Sequence, residues 1–228
     1  MPRIYKLSRT GLKLLYKIRH HRGHGIHSPF VFNLITKVIE EKTQYHVYSD
    51  IRDLLDRRSV KHYRLDRHNQ LLFRLVNYFE AKQILEIGSG YGASTICLTA
   101  PSSNIKCICV ENSNKKSIQA RALYKEWNRN ITLSTNSTLP ALLEKQDCIY
   151  INLNNLETIP ENFSSYLSEA SHEKTFIIVR GIRTNKRHQL LWKSIIAIEN
   201  RTAVLDLFNV GILFFDKRLY KWNYQISF

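Results

Sequence analysis

Three of the eight glycines in this 228-residue chain fall within five residues, at Gly88, Gly90 and Gly92. They separate a short strand-like run, Gln83-Ile84-Leu85-Glu86-Ile87, from a run of helical character at 93–100. Glycines at such a junction allow a tight turn and let a ligand approach the backbone, beside the free amides of a helix N-terminus. The next strand-like run, 105–110, leads into Glu111, 23 residues beyond Gly88. A carboxylate there can accept hydrogen bonds from both hydroxyls of a ribose. Strand, glycine loop, helix, strand and terminal acid in this order predict a nucleotide-binding crossover.

The same alternation continues downstream. Helical spacing covers 117–127, 139–144, 164–170 and 188–198, and short apolar strands fall at 131–133, 148–151 and 175–179. Runs 203–208 and 212–215 are so closely spaced that they pair only antiparallel. The aromatics of 222–228 suggest a last strand. The expected fold is α/β, a mostly parallel, doubly wound sheet of Rossmann type with an antiparallel C-terminal strand. Before residue 81 the pattern is helical. Ser28 and Pro29 supply an N-cap and a first helical residue for a run to Ile39, ended by Glu40-Glu41-Lys42, and further helices are expected at 50–58 and 69–79. The chain therefore divides into a basic helical extension or cap, 1–80, and a Rossmann-like domain, 81–228.

Charge is the second constraint. Lys and Arg number 34 against 19 Asp and Glu, a net of +15. Residues 1–70 hold 15 of the cations and 6 of the acids, and residues 1–24 hold seven cations and no acid. Apolar residues punctuate that segment at mixed helical spacing, so it suits an anionic partner such as RNA or a membrane surface, docking on its own domain, or a solvated basic face. No apolar run reaches the roughly 18 residues of a membrane span. Four cysteines do not make a disulfide framework, and no signal-peptide pattern precedes them, so a cytoplasmic location is expected. Cys148 reads as core. Cys107 and Cys109 are assigned to opposite faces of their strand and hence to no shared metal.

The loop reads Glu86-Ile87-Gly88-Ser89-Gly90-Tyr91-Gly92. An acid two residues before the first glycine would repel a pyrophosphate and suit a cationic ligand. With the late position of the loop and the closing strand pair, this pattern resembles the class I S-adenosylmethionine-dependent methyltransferases. The segments His24-Gly25-Ile26-His27-Ser28-Pro29-Phe30 and Leu205-Asp206-Leu207-Phe208 to Gly211-Ile212, with Ile84 to Gly88 and Ser94-Thr95 between them, resemble a set of small proteins related to O-methyltransferases. The resemblance implies a seven-stranded methyltransferase sheet and S-adenosylmethionine as cofactor, with a methyl acceptor of unidentified nature. It implies that Glu86, Gly88, Ser89, Gly90, Tyr91 and Gly92 face the methionine half. Glu111 would hold the ribose, Asn112 next to it would also contact the cofactor, Asn136 and Ser137 would border the adenine, and Asn152 would border the pocket.

The chain departs from the metal-dependent members, which place acids after the fourth and fifth strands. Here those positions read Asn152-Leu153-Asn154-Asn155 and Arg180-Gly181, so no metal is expected. Methyl transfer is an in-line displacement in which alignment supplies much of the rate and a base is optional. His24 and His27 are the candidate bases if the N-terminal segment folds over the pocket; otherwise they structure a turn. The expected activity is metal-independent methyl transfer to oxygen or nitrogen. The alternative is a catalytically degenerate protein that binds the cofactor, nucleic acid or an anionic surface through the same fold.

Overall fold

The computed structural model describes residues 27–57, 65–136, 138–158, 162–226 and 228. Ser28 caps α1 (Pro29–Leu34), its hydroxyl oxygen accepting from the Val31 amide at 3.4 Å, with Pro29 in the first turn. The helix continues into a π-helical segment, Ile35–Ile39. Buried Arg74 holds this end, its Nε donating to the Val38 carbonyl at 2.6 Å and its Nη2 to the Ile39 carbonyl at 3.3 Å. A cation at the electronegative end of a helix is favourable. Then come α2 (Val47–Asp56) and α3 (Arg67–Phe79). Asp66 caps α3, its carboxylate accepting from the Asn69 amide at 2.7 Å, a contact worth about 1 kcal/mol. Leu71, Leu72, Leu75 and Val76 form its buried stripe.

The α/β unit follows as β1 (Gln83–Ile87), α4 (Ala93–Thr99), β2 (Lys106–Val110), α5 (Asn114–Trp127), β3 (Asn130–Ser134) and β4 (Gln146–Asn152). It continues through α6 (Phe163–Glu169), β5 (Ser171–Arg180), α7 (Lys186–Ile195), β6 (Val204–Asp206), β7 (Val210–Phe214) and β8 (Asn223–Gln225). Among the described residues the sheet has eight strands in the order β3-β2-β1-β4-β5-β7-β6-β8. β7 alone runs against the others, pairing antiparallel with β5 and β6, and β8 adds parallel to β6. This is the expected Rossmann-like sheet with one strand more than seven. Residues 139–144 form no helix, in contrast to the sequence reading. Pro140 lacks an amide and disfavours helical backbone at Leu139. No described helix is long and apolar enough to cross a membrane.

Strand alternation divides β1 between two cores. Leu85 and Ile87 join Ile149, Ile151 and Ile177 beneath α6 and α7. Ile84 faces the other way, with Cys107, Cys148 and Tyr150, into a core that also contains the buried residues of α1 to α5. The helices at 29–79 thus share one core with the sheet. The placement of Cys107 and Cys109 on opposite faces is incorrect. Side chains two apart on a strand share a face, and their sulfurs lie 3.6 Å apart.

Candidate functional site

The glycine loop lies at the carboxyl edge of β1, between β2 and β4, where the strand order reverses direction. In open α/β sheets that is where ligands bind. Gly88, Gly90 and Gly92 have φ of +81°, +62° and +93°, in the region side chains disfavour. The Val110 carbonyl accepts from the Gly88 and Ser89 amides at 2.9 and 3.2 Å. Glu111, 2 % exposed, continues the clamp, its Oε2 accepting from the Gly90 amide at 2.7 Å and Oε1 from the Ser113 amide at 2.9 Å. The acid expected at a ribose is thus already engaged with the loop itself.

A cleft of about 350 Å³ opens beside the loop. Its walls come from Ser89, Tyr91 and Ser94 on the loop side, Asp66 and Asn69 at the start of α3, Asn152, Asn154 and Asn155 after β4, and Arg180 at the end of β5. A much smaller pocket of about 20 Å³ lies under the loop, walled by Ile87, Val110, Leu139 and Leu156 together with Asn112, Asn155 and Thr158. Asn155 belongs to both. Its Nδ2 donates to the Gly88 carbonyl at 2.8 Å, and Lys116 Nζ donates to its Oδ1 at 3.4 Å. A Cβ on Gly90 would lie 2.6 Å from that same nitrogen, so Asn155 rests directly on the loop.

Glu86 does not line the cleft, contrary to the sequence expectation. It shares the face of Ile84, and strand side chains stand perpendicular to the sheet rather than along it. Its carboxylate is fully buried beneath α4, where Ser94 Oγ and Thr95 Oγ1 each donate to it at 2.5 Å and Cys109 Sγ lies at 3.6 Å. Burial raises its pKa to about 7, outweighing the three hydrogen bonds that lower it. Glu86 therefore reaches the cleft only through Ser94. One of its oxygens and the Cys107 and Cys109 sulfurs lie within 4.8 Å of one another. Burial foremost keeps the Cys109 thiol well above its ordinary pKa, so it stays protonated at neutral pH.

Of the two candidate histidines, only His27 lies among the described residues. His27 is exposed and lines neither cavity. It precedes a helix that packs Phe30 edge-on against Phe214, the β7 partner of Phe176, four residues back along β5 from Arg180. Asn136 is exposed and lines neither cavity, because β3 is the edge strand and its end points to solvent. His24, Ser137 and the basic segment 1–24 lie outside the described residues.

Sequence reasoning missed Asp66, Asn69 and a buried pair beneath Arg180. Arg180 Nη2 donates to Asp66 Oδ2 at 3.3 Å. The Tyr150 hydroxyl under it lies 3.0 Å from His68 Nε2, while His68 Nδ1 is buried with no hydrogen-bond partner. Burial, then the charge of Arg180, holds His68 well below its ordinary pKa, so this layer is neutral. Asp66 and Arg180 are 114 residues apart, and nothing local in the sequence announces their meeting.

No family model matches the chain, and no curated protein does. Solved structures do. An O-methyltransferase from Bacillus cereus in complex with S-adenosylhomocysteine aligns over 81 % of this chain and 97 % of its own at 19 % identity and a TM-score of 0.51. The Podospora anserina methyltransferase PaMTH1, also bound to S-adenosylhomocysteine, aligns over 82 % and 96 % at 13 % identity and 0.59. TomG, an O-methyltransferase from Streptomyces achromogenes in complex with S-adenosylmethionine, aligns over 81 % and 94 % at 14 % identity and 0.54. At such identities the likeness is one of fold.

Proposed function

We propose that the chain is an S-adenosylmethionine-dependent methyltransferase that acts on an oxygen or nitrogen acceptor without a metal ion. The carrying observation is the glycine loop with three positive-φ residues, clamped by Glu111 beside a cleft at the carboxyl edge of the sheet. The methyltransferases that share the fold support the cofactor choice. Bound there, S-adenosylmethionine supplies an electrophilic methyl group on a sulfonium. The residues present fit it on one condition, that Asn155 leaves the loop. Val110, Leu139 and Leu156 offer apolar contact to a purine once the departure of Asn155 widens the narrow pocket, and Glu111 retains lone pairs for ribose hydroxyls. The asparagine amides suit the amino-acid end.

Metal independence rests on the donor set. Hard divalent cations take several anionic oxygens. The ends of β4 and β5 present Asn152 and Arg180, and Asp66 is already shared between a helix cap and Arg180.

Calorimetry with S-adenosylhomocysteine tests the reading. Gly90→Asp should weaken binding more than tenfold, because an anionic side chain then projects into the space that Asn155 must vacate for the ligand, from a left-handed backbone position. Asn155→Ala should tighten binding by roughly threefold to tenfold, since one hydrogen bond to the loop no longer has to break. Wild-type protein that binds no S-adenosylhomocysteine would sink the proposal.

A further inference from the structure

We infer that the acceptor is a carboxylate, anchored by Arg180 and converted to its methyl ester; this rests on the methyltransferase reading of the same cleft. A neutral hydroxyl acceptor is helped by a group that takes its proton, and an ammonium acceptor must first lose one. Among the described residues that line the cleft there is no histidine, lysine or glutamate. Asp66 is engaged by the Asn69 amide through one oxygen and by Arg180 through the other. An acceptor already ionised at neutral pH needs no base at all.

Arg180 supplies the complementary charge. It ends β5 and faces the cleft opposite the loop. One terminal nitrogen meets Asp66 at 3.3 Å, a single contact rather than a two-pronged one, and the Asp66 side chain is 42 % exposed. Beneath it stand Tyr150 and neutral His68, which leave its charge uncompensated from below. A guanidinium has five donors, so it can hold one oxygen of a carboxylate while the second stays free. Tyr91, Asn69 and Asn154 lie close enough to complete the walls.

The chemistry balances without a proton. The free carboxylate oxygen forms the new O–CH₃ bond as the S–CH₃ bond breaks, and sulfur keeps the electron pair. Anion and sulfonium give neutral ester and neutral thioether. A fixed cation beside the acceptor would oppose the positive charge that a neutral amine takes on as it is methylated, which favours this class over amines.

Two measurements test it. The first is binding of benzoate and its neutral isostere benzamide, followed by NMR on wild type, Arg180→Gln and Arg180→Lys, with and without saturating S-adenosylhomocysteine. Benzoate should bind wild type at least tenfold more tightly than benzamide does. That preference should vanish in Arg180→Gln and survive in part in Arg180→Lys, which keeps the charge and guards against misfolding. The second is the alkali lability of label transferred from methyl-labelled cofactor into a small-molecule extract, where an ester releases methanol and ethers and amines do not. Equal binding of the two probes to wild type, undiminished preference in Arg180→Gln, or alkali-stable label would overturn the inference. Calorimetry separates this from the parent reading. If S-adenosylhomocysteine binds and benzoate is not preferred, only the acceptor assignment falls; if benzoate is held through Arg180 without S-adenosylhomocysteine binding, the methyltransferase reading falls.

Discussion

Gly211→Ala is expected to lower stability by about 3 kcal/mol, near the upper end for an overpacked core. Gly211 lies inside β7, opposite Val179 of β5 on one side and Asp206 of β6 on the other. Its missing side chain is replaced by the ring of Trp192 from α7, which is 6 % exposed. A Cβ would collide with the ring, 2.7 Å from Cζ3 and nearer still to Cζ2 and Cη2. Neither partner can yield easily, because the strand is hydrogen-bonded on both edges and the indole sits among Leu191, Ile195 and Leu213. In a chain of this length the loss corresponds to a fall of roughly 6–12 °C in Tm. The double variant Gly211→Ala, Trp192→Leu should be more stable than the sum of the single effects by at least about 1 kcal/mol. Strict additivity in chemical denaturation would show that the ring and the glycine do not share this space.

That contact explains part of what was legible. Gly211 stood out as part of a C-terminal motif, but its reason, an indole from a helix some twenty residues earlier, is tertiary. β1 was readable to the residue, because Ile84, Leu85 and Ile87 are bounded closely by Lys82 and Gly88 and both boundaries are local. The loop glycines were readable for the same reason, since positive φ is a property of the residue itself. β8 was expected only as an aromatic stretch, and Asn223-Tyr224-Gln225 becomes a strand because β6 offers a free edge. In β5 the ladder extends back through polar residues 171–174, which carry no apolar signal.

The site was legible where it is local and opaque where it depends on strand order. Glu111 and the glycines were found, while the Asp66–Arg180 pair was not. Arg180 reaches Asp66 only because β5 lies beside β4, β4 beside β1, and α3 begins over that edge. The histidine motif drew attention by composition, yet Phe30 anchors its end among Phe79 and Phe214. Aromatic packing, rather than chemistry, accounts for that part of the motif.

Glu86 carries the other large effect, and it is a dependence on pH. Its folded pKa of about 7 lies above the ordinary value of 4.5, because burial penalises the charge more than Ser94, Thr95 and Cys109 relieve it. The folded state therefore holds a proton that the unfolded chain gives up first. Below pH 4.5 both states are protonated and the contribution is at its fullest; it declines as pH rises toward 7 and is gone above it. The span corresponds to on the order of 3 kcal/mol. Glu86→Gln cannot ionise, and its amide can donate to the Ser94 or Thr95 hydroxyl while its carbonyl accepts from the other. The variant should match wild type near pH 4.5 and exceed it by on the order of 3 kcal/mol at pH 8, with the difference growing mainly between those values. Measuring the difference between the two proteins cancels every other titrating group. A difference that is flat across this interval, or that shrinks with rising pH, would mean that the buried carboxylate is stabilised as an anion, and that its hydrogen bonds outweigh its burial.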